Sequence, residues 1–137
     1  LFVSGDQAHW GLFAGLCVIY TLPMLAWEIA RKVRAPEDED EYLTYTRRWG
    51  TRKAPLVALA HLVFTTFGLI AWALVFHLSL LFITVICLLG FASAYMIIRF
   101  VRNPTSRTNL VRPAVEGFII VFQIAVLLEA LHKGGYL

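Results

Sequence analysis

Two long stretches of the chain carry no formal charge, a third carries very little, and polar islands divide them. From Trp10 to Trp27 there is no Asp, Glu, Lys or Arg, and at about 1.5 Å per residue such a run matches a hydrocarbon core of roughly 30 Å. This places a first span at about 10–30. The second run, Ala54 to Ile98, would reach about 67 Å as one helix, roughly twice the core. It must fold back, with Phe76 to Ser79 as the turn, which gives spans at about 55–75 and 78–98. A last span runs over about 113–131: Pro113 suits a first helical turn, Glu116 and Glu129 lie near the two ends, and Gly134 and Gly135 stop it. Unpaired backbone groups find no water in lipid, and these runs lack the alternation of a barrel strand. The pattern therefore predicts an all-α fold, a single membrane domain of four transmembrane helices.

Composition agrees. Hydrophobic residues fill 59% of the 137 positions, charged residues 15%, and mean hydropathy is +0.71, which excludes an ordinary soluble domain. Cys17 and Cys87 sit inside apolar runs and read as small buried hydrophobes. The net charge of +3 does not point to nucleic acid, because the bases lie in inter-helix loops. Arg31, Lys32, Arg34, Arg47, Arg48, Arg52 and Lys53 occupy the loop 31–54; Arg99, Arg102, Arg107 and Arg112 occupy the loop 99–112. The positive-inside rule places both loops in the cytoplasm, and both ends of this segment with the central hairpin on the far side. The start "LFVSGDQAHW" has no initiator Met, basic n-region or cleavage site, so it reads as a fragment or processed chain without a signal peptide.

The first loop holds the candidate chemistry. Glu28, Arg31 and Lys32 stand at i, i+3 and i+4 and share one helical face at the inner end of span one, with Pro36 as the expected stop. One reading is an interfacial ion pair with snorkelling bases. The other is a carboxylate beside several bases that holds a divalent cation and an anionic phosphate at the water boundary. The acidic run Glu37 to Glu41 reads most simply as a solvated stretch balancing the bases. Yet the loop far exceeds the roughly 2–8 residues of a plain helix connection, which marks it as a working loop. No phosphate-binding glycine loop, CxxC pair, HExxH or G-x-S-x-G element occurs.

The sequence "EIARKVRAPEDEDEYLTYTRRWGTRKA" resembles the second acidic motif of the UbiA-type intramembrane prenyltransferase superfamily, D-x-x-D-x-x-x-D followed by G-x-x-T-L-P-x-x-L-G-x-x-x-A. Thr44, Gly50 and Ala54 keep the T-x5-G-x3-A spacing. The inward direction of span one, then a cytoplasmic loop and three more spans, is similar to helices six to nine of that family's nine-helix bundle. The resemblance implies that Glu28, Glu37 and Glu41 help hold Mg²⁺, and that Arg31, Lys32 and Arg34 face the diphosphate of an isoprenoid substrate. Glu37 reaches the third acidic position only with two extra loop residues. Arg31 replaces the middle aspartate, which removes a hard oxygen ligand and adds a charge repelling the metal. The first motif, N-x-x-x-D-x-x-x-D, is absent from the chain.

Other residues weigh less. His9, His77 and His132 lie near the non-cytoplasmic ends of spans, and His61 has no partner at its own depth, so haem is not expected. Trp10, Trp27, Trp49, Trp72 and Tyr95 fit an aromatic belt, Gly11 and Gly15 form a G-x-x-x-G on span one, and Arg112 stands four residues before Glu116. Three functions remain open: a prenyltransferase acting on an isoprenoid diphosphate within membrane lipid, a non-catalytic subunit packed against other membrane subunits, or a haem- or quinone-binding anchor.

Overall fold

The computed structural model describes residues 2–39 and 43–134, with side chains from Phe13 onward. Helix α1 spans Phe2–Ala30, and α2 is one short turn, Tyr45–Trp49. Helices α3 (Lys53–Val75), α4 (Leu80–Arg102) and α5 (Val111–Lys133) follow, with 3-10 turns at Pro36–Asp38 and Ser106–Thr108. Four helices, α1, α3, α4 and α5, are long and apolar enough to cross a membrane. The protein is an integral membrane protein. The long helices form a closed ring in which α1 packs on α3, α3 on α4, α4 on α5 and α5 on α1.

The helices are apolar on every side, so water does not decide which face turns inward; packing does. Along α3 the buried positions Ala54, Ala58, Leu62, Thr65, Leu69 and Ala73 follow one helical stripe. Ala26 and Ala30 do the same for the end of α1, and Phe118 and Phe122 carry the bulk on α5. Large apolar side chains such as Phe64, Phe91 and Leu80 point outward, where lipid rather than water is their solvent. Two threonine hydroxyls on α3 bond back to their own helix, Thr65 to the His61 carbonyl and Thr66 to that of Leu62, both at 2.8 Å, while the buried Ser93 hydroxyl of α4 donates across to the Ala114 carbonyl of α5 at 3.3 Å. His61 itself turns Nδ1 to the Val57 carbonyl at 2.7 Å.

The turn between α3 and α4 falls where the length of the charge-free run places it. Phe76 ends α3, His77 takes φ 51°, and Ser79 caps α4 by accepting from the Phe82 amide at 3.1 Å. From α5, the Glu129 carboxylate accepts the Ser79 amide at 2.7 Å and hydroxyl at 2.5 Å, and Lys133 donates to the carbonyls of Phe76 and His77 at 2.7 and 3.0 Å. Backbone groups freed by the turn are thereby satisfied from a neighbouring helix.

Some sequence expectations are corrected. Helix α1 ends at Ala30, short of Pro36, which instead opens a 3-10 turn. The returning chain supplies other partners: the Tyr45 amide donates to the Lys32 carbonyl at 3.2 Å and the Arg34 amide to the Thr46 hydroxyl at 3.2 Å. Cys17 is exposed on the outer face rather than buried, while Cys87 is half-buried; both are free thiols. Trp27, one turn from the end of α1, and Trp72 are half-buried, and Trp72 stacks obliquely on Phe76 at 4.4 Å. A Cβ added at Gly15 would meet Trp72 at an ordinary 3.7 Å.

Candidate anion-binding site at the basic end

The last turn of α1 sets the first bases. Glu28 receives a forked contact from Arg31, Nε to Oε2 at 2.5 Å and the guanidinium to Oε1 at 2.9 Å, and Lys32 reaches Oε1 at 2.7 Å. Both Glu28 oxygens are therefore engaged by cations. The aromatic neighbours orient the same bases: the Arg31 guanidinium lies 5.4 Å from the Trp27 ring centre and the Lys32 ammonium 5.2 Å from that of Tyr45.

Beyond Lys32 the loop is folded by its own polar groups. Thr44 caps α2 by accepting from the Arg47 amide at 3.1 Å, and Thr44 and Thr46 both donate to the Glu39 carboxylate. Gly50 closes α2 at φ 93°, and a Cβ there would meet nothing within 4 Å, so the glycine serves the backbone angle rather than close packing. Arg34 donates to the Asp38 carbonyl at 3.3 Å. The second loop fastens onto the first: the Ser106 amide donates to Glu37 Oε1 at 2.5 Å, its hydroxyl to Asp38 Oδ2 at 2.7 Å, and the Asn109 amide group to the Val33 carbonyl at 3.2 Å.

The result is a polar cavity of about 410 Å³ at the basic end of the bundle, lined by Arg31, Lys32, Arg34, Arg112, Trp27 and Thr44, with the exposed Leu43 at its edge. No acidic side chain lines it among the described residues. All three bases proposed to face a diphosphate reach this one cavity. Arg112, which sequence reasoning had only as a partner of Glu116, joins them from the first turn of α5. It does pair with Glu116, Nε to Oε1 at 2.7 Å, and the same oxygen accepts Trp27 Nε1 at 3.2 Å. The i to i+4 spacing discloses the pair but not the cavity, which needs α5 to close against α1.

The three carboxylates expected at a Mg²⁺ site have separate fates. Glu28 is held by Arg31 and Lys32, and Glu37 is held by Ser106; neither lines the cavity. Glu41 lies outside the described residues. No three Asp, Glu, His or Cys side chains converge among the described residues, while the four bases of the cavity suit direct binding of phosphate oxygens. Arginine forks match phosphate oxygens in pairs, and a site at the water boundary leaves the bases only partly desolvated.

The Ser106 hydroxyl and amide, with Arg107 beyond, hold the Glu37 carboxyl below its usual value of 4.5. A lowered folded-state value means that the contact stabilises the loops above the unfolded value and is lost as pH falls through the folded one. Followed by NMR, the Ser106 amide shift should therefore titrate with a midpoint below 4.5; a midpoint at or above it would contradict the contact. No family model, curated protein or solved structure matches the chain.

Proposed function

We propose that this chain is the C-terminal, membrane-embedded part of a divergent UbiA-type prenyltransferase, with its basic end facing the cytoplasm and the diphosphate of an isoprenoid substrate bound there. The observation that carries this reading is the convergence of Arg31, Lys32 and Arg34, from the loop that follows α1, and Arg112, from α5, on one cavity at the end of an apolar bundle. Such bases would stabilise a diphosphate as the allylic C–O bond breaks and the electron pair leaves with the phosphate oxygen. The carbon left electron-poor would bond to a lipophilic acceptor, which releases a proton. In this reading the nine-helix context supplies the first acidic motif. Mg²⁺, held by Glu28, Glu37 and Glu41, would neutralise diphosphate charge if the enzyme retains metal dependence.

One observation favours a second reading, a non-catalytic membrane subunit that kept the scaffold. Arg31 stands where the family has an aspartate, and it forks onto Glu28, taking up the carboxylate that would bind metal. Titrating farnesyl diphosphate into the purified protein with and without Mg²⁺ separates the two. The enzyme reading expects Mg²⁺ to tighten binding, Glu28→Ala to abolish that gain and Arg34→Ala to weaken binding about tenfold, the equivalent of one charge-assisted hydrogen bond. Binding indifferent to Mg²⁺, with stable co-purification of other membrane proteins, would favour the subunit.

A further inference from the structure

Across the ring from the α1–α5 side lies the seam between α3 and α4. The exposed positions Lys53, Leu56, Ala60 and Phe64 recur at helical spacing along one face of α3, and Phe91, Tyr95, Ile98 and Arg102 along one face of α4, with the exposed Arg99 beside them. Each face is apolar along its length and meets a base only at one end. Those ends are level: Thr66 faces Gly90, and Lys53 lies as far before Thr66 as Asn103 lies after Gly90, so in these antiparallel neighbours Lys53 stands beside the last turn of α4, which carries Arg99 and Arg102. Among the described residues Lys53, Arg99 and Arg102 form no ion pair, and neither helix contains an Asp or Glu. The negative end of the α4 dipole accounts for its two arginines; Lys53, at the positive end of α3, has no such partner in its own helix.

We propose that this seam binds an anionic phospholipid, its phosphate held by Lys53, Arg99 and Arg102 and its acyl chains laid along the paired apolar faces. Charge selects the lipid. A zwitterionic head would bring an ammonium group to two helices that offer bases and no acid, whereas phosphatidylglycerol brings negative charge alone. Depth fits as well, because a lipid phosphate sits at the edge of the hydrocarbon core and the apolar faces begin within one turn of the bases, Leu56 after Lys53 and Ile98 before Arg102. Free phosphate presents the same oxygens but leaves Leu56, Tyr95 and Ile98, which are 44%, 68% and 38% exposed, without an apolar partner. The inference is independent of what the basic cavity holds.

Native mass spectrometry of the full chain in detergent, titrated with phosphatidylglycerol and with phosphatidylcholine of the same acyl chains, tests the site. Phosphatidylglycerol should bind about tenfold more tightly. Lys53→Gln, Arg99→Gln and Arg102→Gln should each weaken it about fivefold, the effect of one base near an anionic lipid, and leave phosphatidylcholine within about twofold. Arg107→Gln, which removes an equal charge from the loop beyond α4, should change phosphatidylglycerol by less than about twofold. An equal loss in Arg107→Gln would show diffuse attraction and overturn the site, as would equal affinity for the two lipids. Displacement by inorganic phosphate at the lipid's own concentration would make the bases a soluble-phosphate site and sink the lipid assignment. A second readout uses the unaltered protein and phosphatidylglycerol with a photoreactive acyl chain. Crosslinks at Leu56, Ala60, Tyr95 or Ile98 are expected. Crosslinks confined to Met24, Ile119 and Ile120, which line a groove between α1 and α5, or to Val121, Ile124 and Leu128, which line one near the α3–α4 turn, would refute it.

Discussion

Glu129→Leu is expected to destabilise the folded bundle by about 2–4 kcal/mol, because it leaves the Ser79 amide and hydroxyl without their acceptor in a nearly closed site. Glu129 is 8% exposed, and its two oxygens bond to the cap residue of α4 at 2.7 and 2.5 Å. The loss is felt twice, since the Ser79 hydroxyl also caps α4 through the Phe82 amide. Glu129→Gln should cost much less: its carbonyl still accepts the amide, and its NH₂ can donate to a hydroxyl that is itself able to accept. Denaturant titration of the detergent-solubilised protein measures both variants. A leucine variant within about 1 kcal/mol of the original would mean that water reaches Ser79 and replaces the carboxylate.

Gly90→Leu is the second large effect, expected at about 1–3 kcal/mol from overpacking. A Cβ at Gly90 would lie 3.0 Å from both Cγ2 and Oγ1 of Thr66 on the facing helix α3. Thr66 cannot simply swing aside, because a β-branched side chain has few rotamers and its hydroxyl is bonded to the Leu62 carbonyl at 2.8 Å. Gly90→Ala should cost less than leucine, and pairing it with Thr66→Ala should recover most of the loss. Reversible unfolding of the two single variants and the double variant completes the cycle. Strict additivity would show that the two positions do not touch.

These two sites show what the sequence discloses and what it hides. The turn at Phe76 to Ser79 is legible from length alone, because no single helix from Ala54 to Ile98 fits a bilayer. The ion pairs of Glu28 with Arg31 and Lys32, and of Arg112 with Glu116, are legible because helical spacing brings them together on one helix. Contacts between helices are another matter. A G-x-x-x-G at Gly11 and Gly15 draws the eye, yet the tight approaches among the described residues are at Gly90 and at Gly68, whose Cβ would lie 3.2 Å from Ile19. Helices that are apolar all round give no amphipathic stripe from which to choose a facing partner. For the same reason the bond from Trp27 to Glu116, across α1 and α5, has no signature in the sequence. In the acidic run Glu37 and Asp38 are exposed, as the composition suggests, and what the sequence hides is that they also hold the second loop, while Glu39 binds Thr44 and Thr46. Proline misled in the opposite direction, since Pro36 follows a helix that had already ended.

The basic cavity takes Arg112 from the final helix, and its loop is fastened by Ser106 and Asn109 just ahead of that helix. During synthesis from the N-terminal end, α1, α3 and α4 can enter the membrane before any of these residues leaves the ribosome. A nascent chain paused there carries three of the bases on an unclasped loop and lacks the wall that separates the charged compartment from lipid. The basic cavity is thus the last part to be assembled: a product ending before α5 would reach the bilayer with three spans in place and the cavity unclosed.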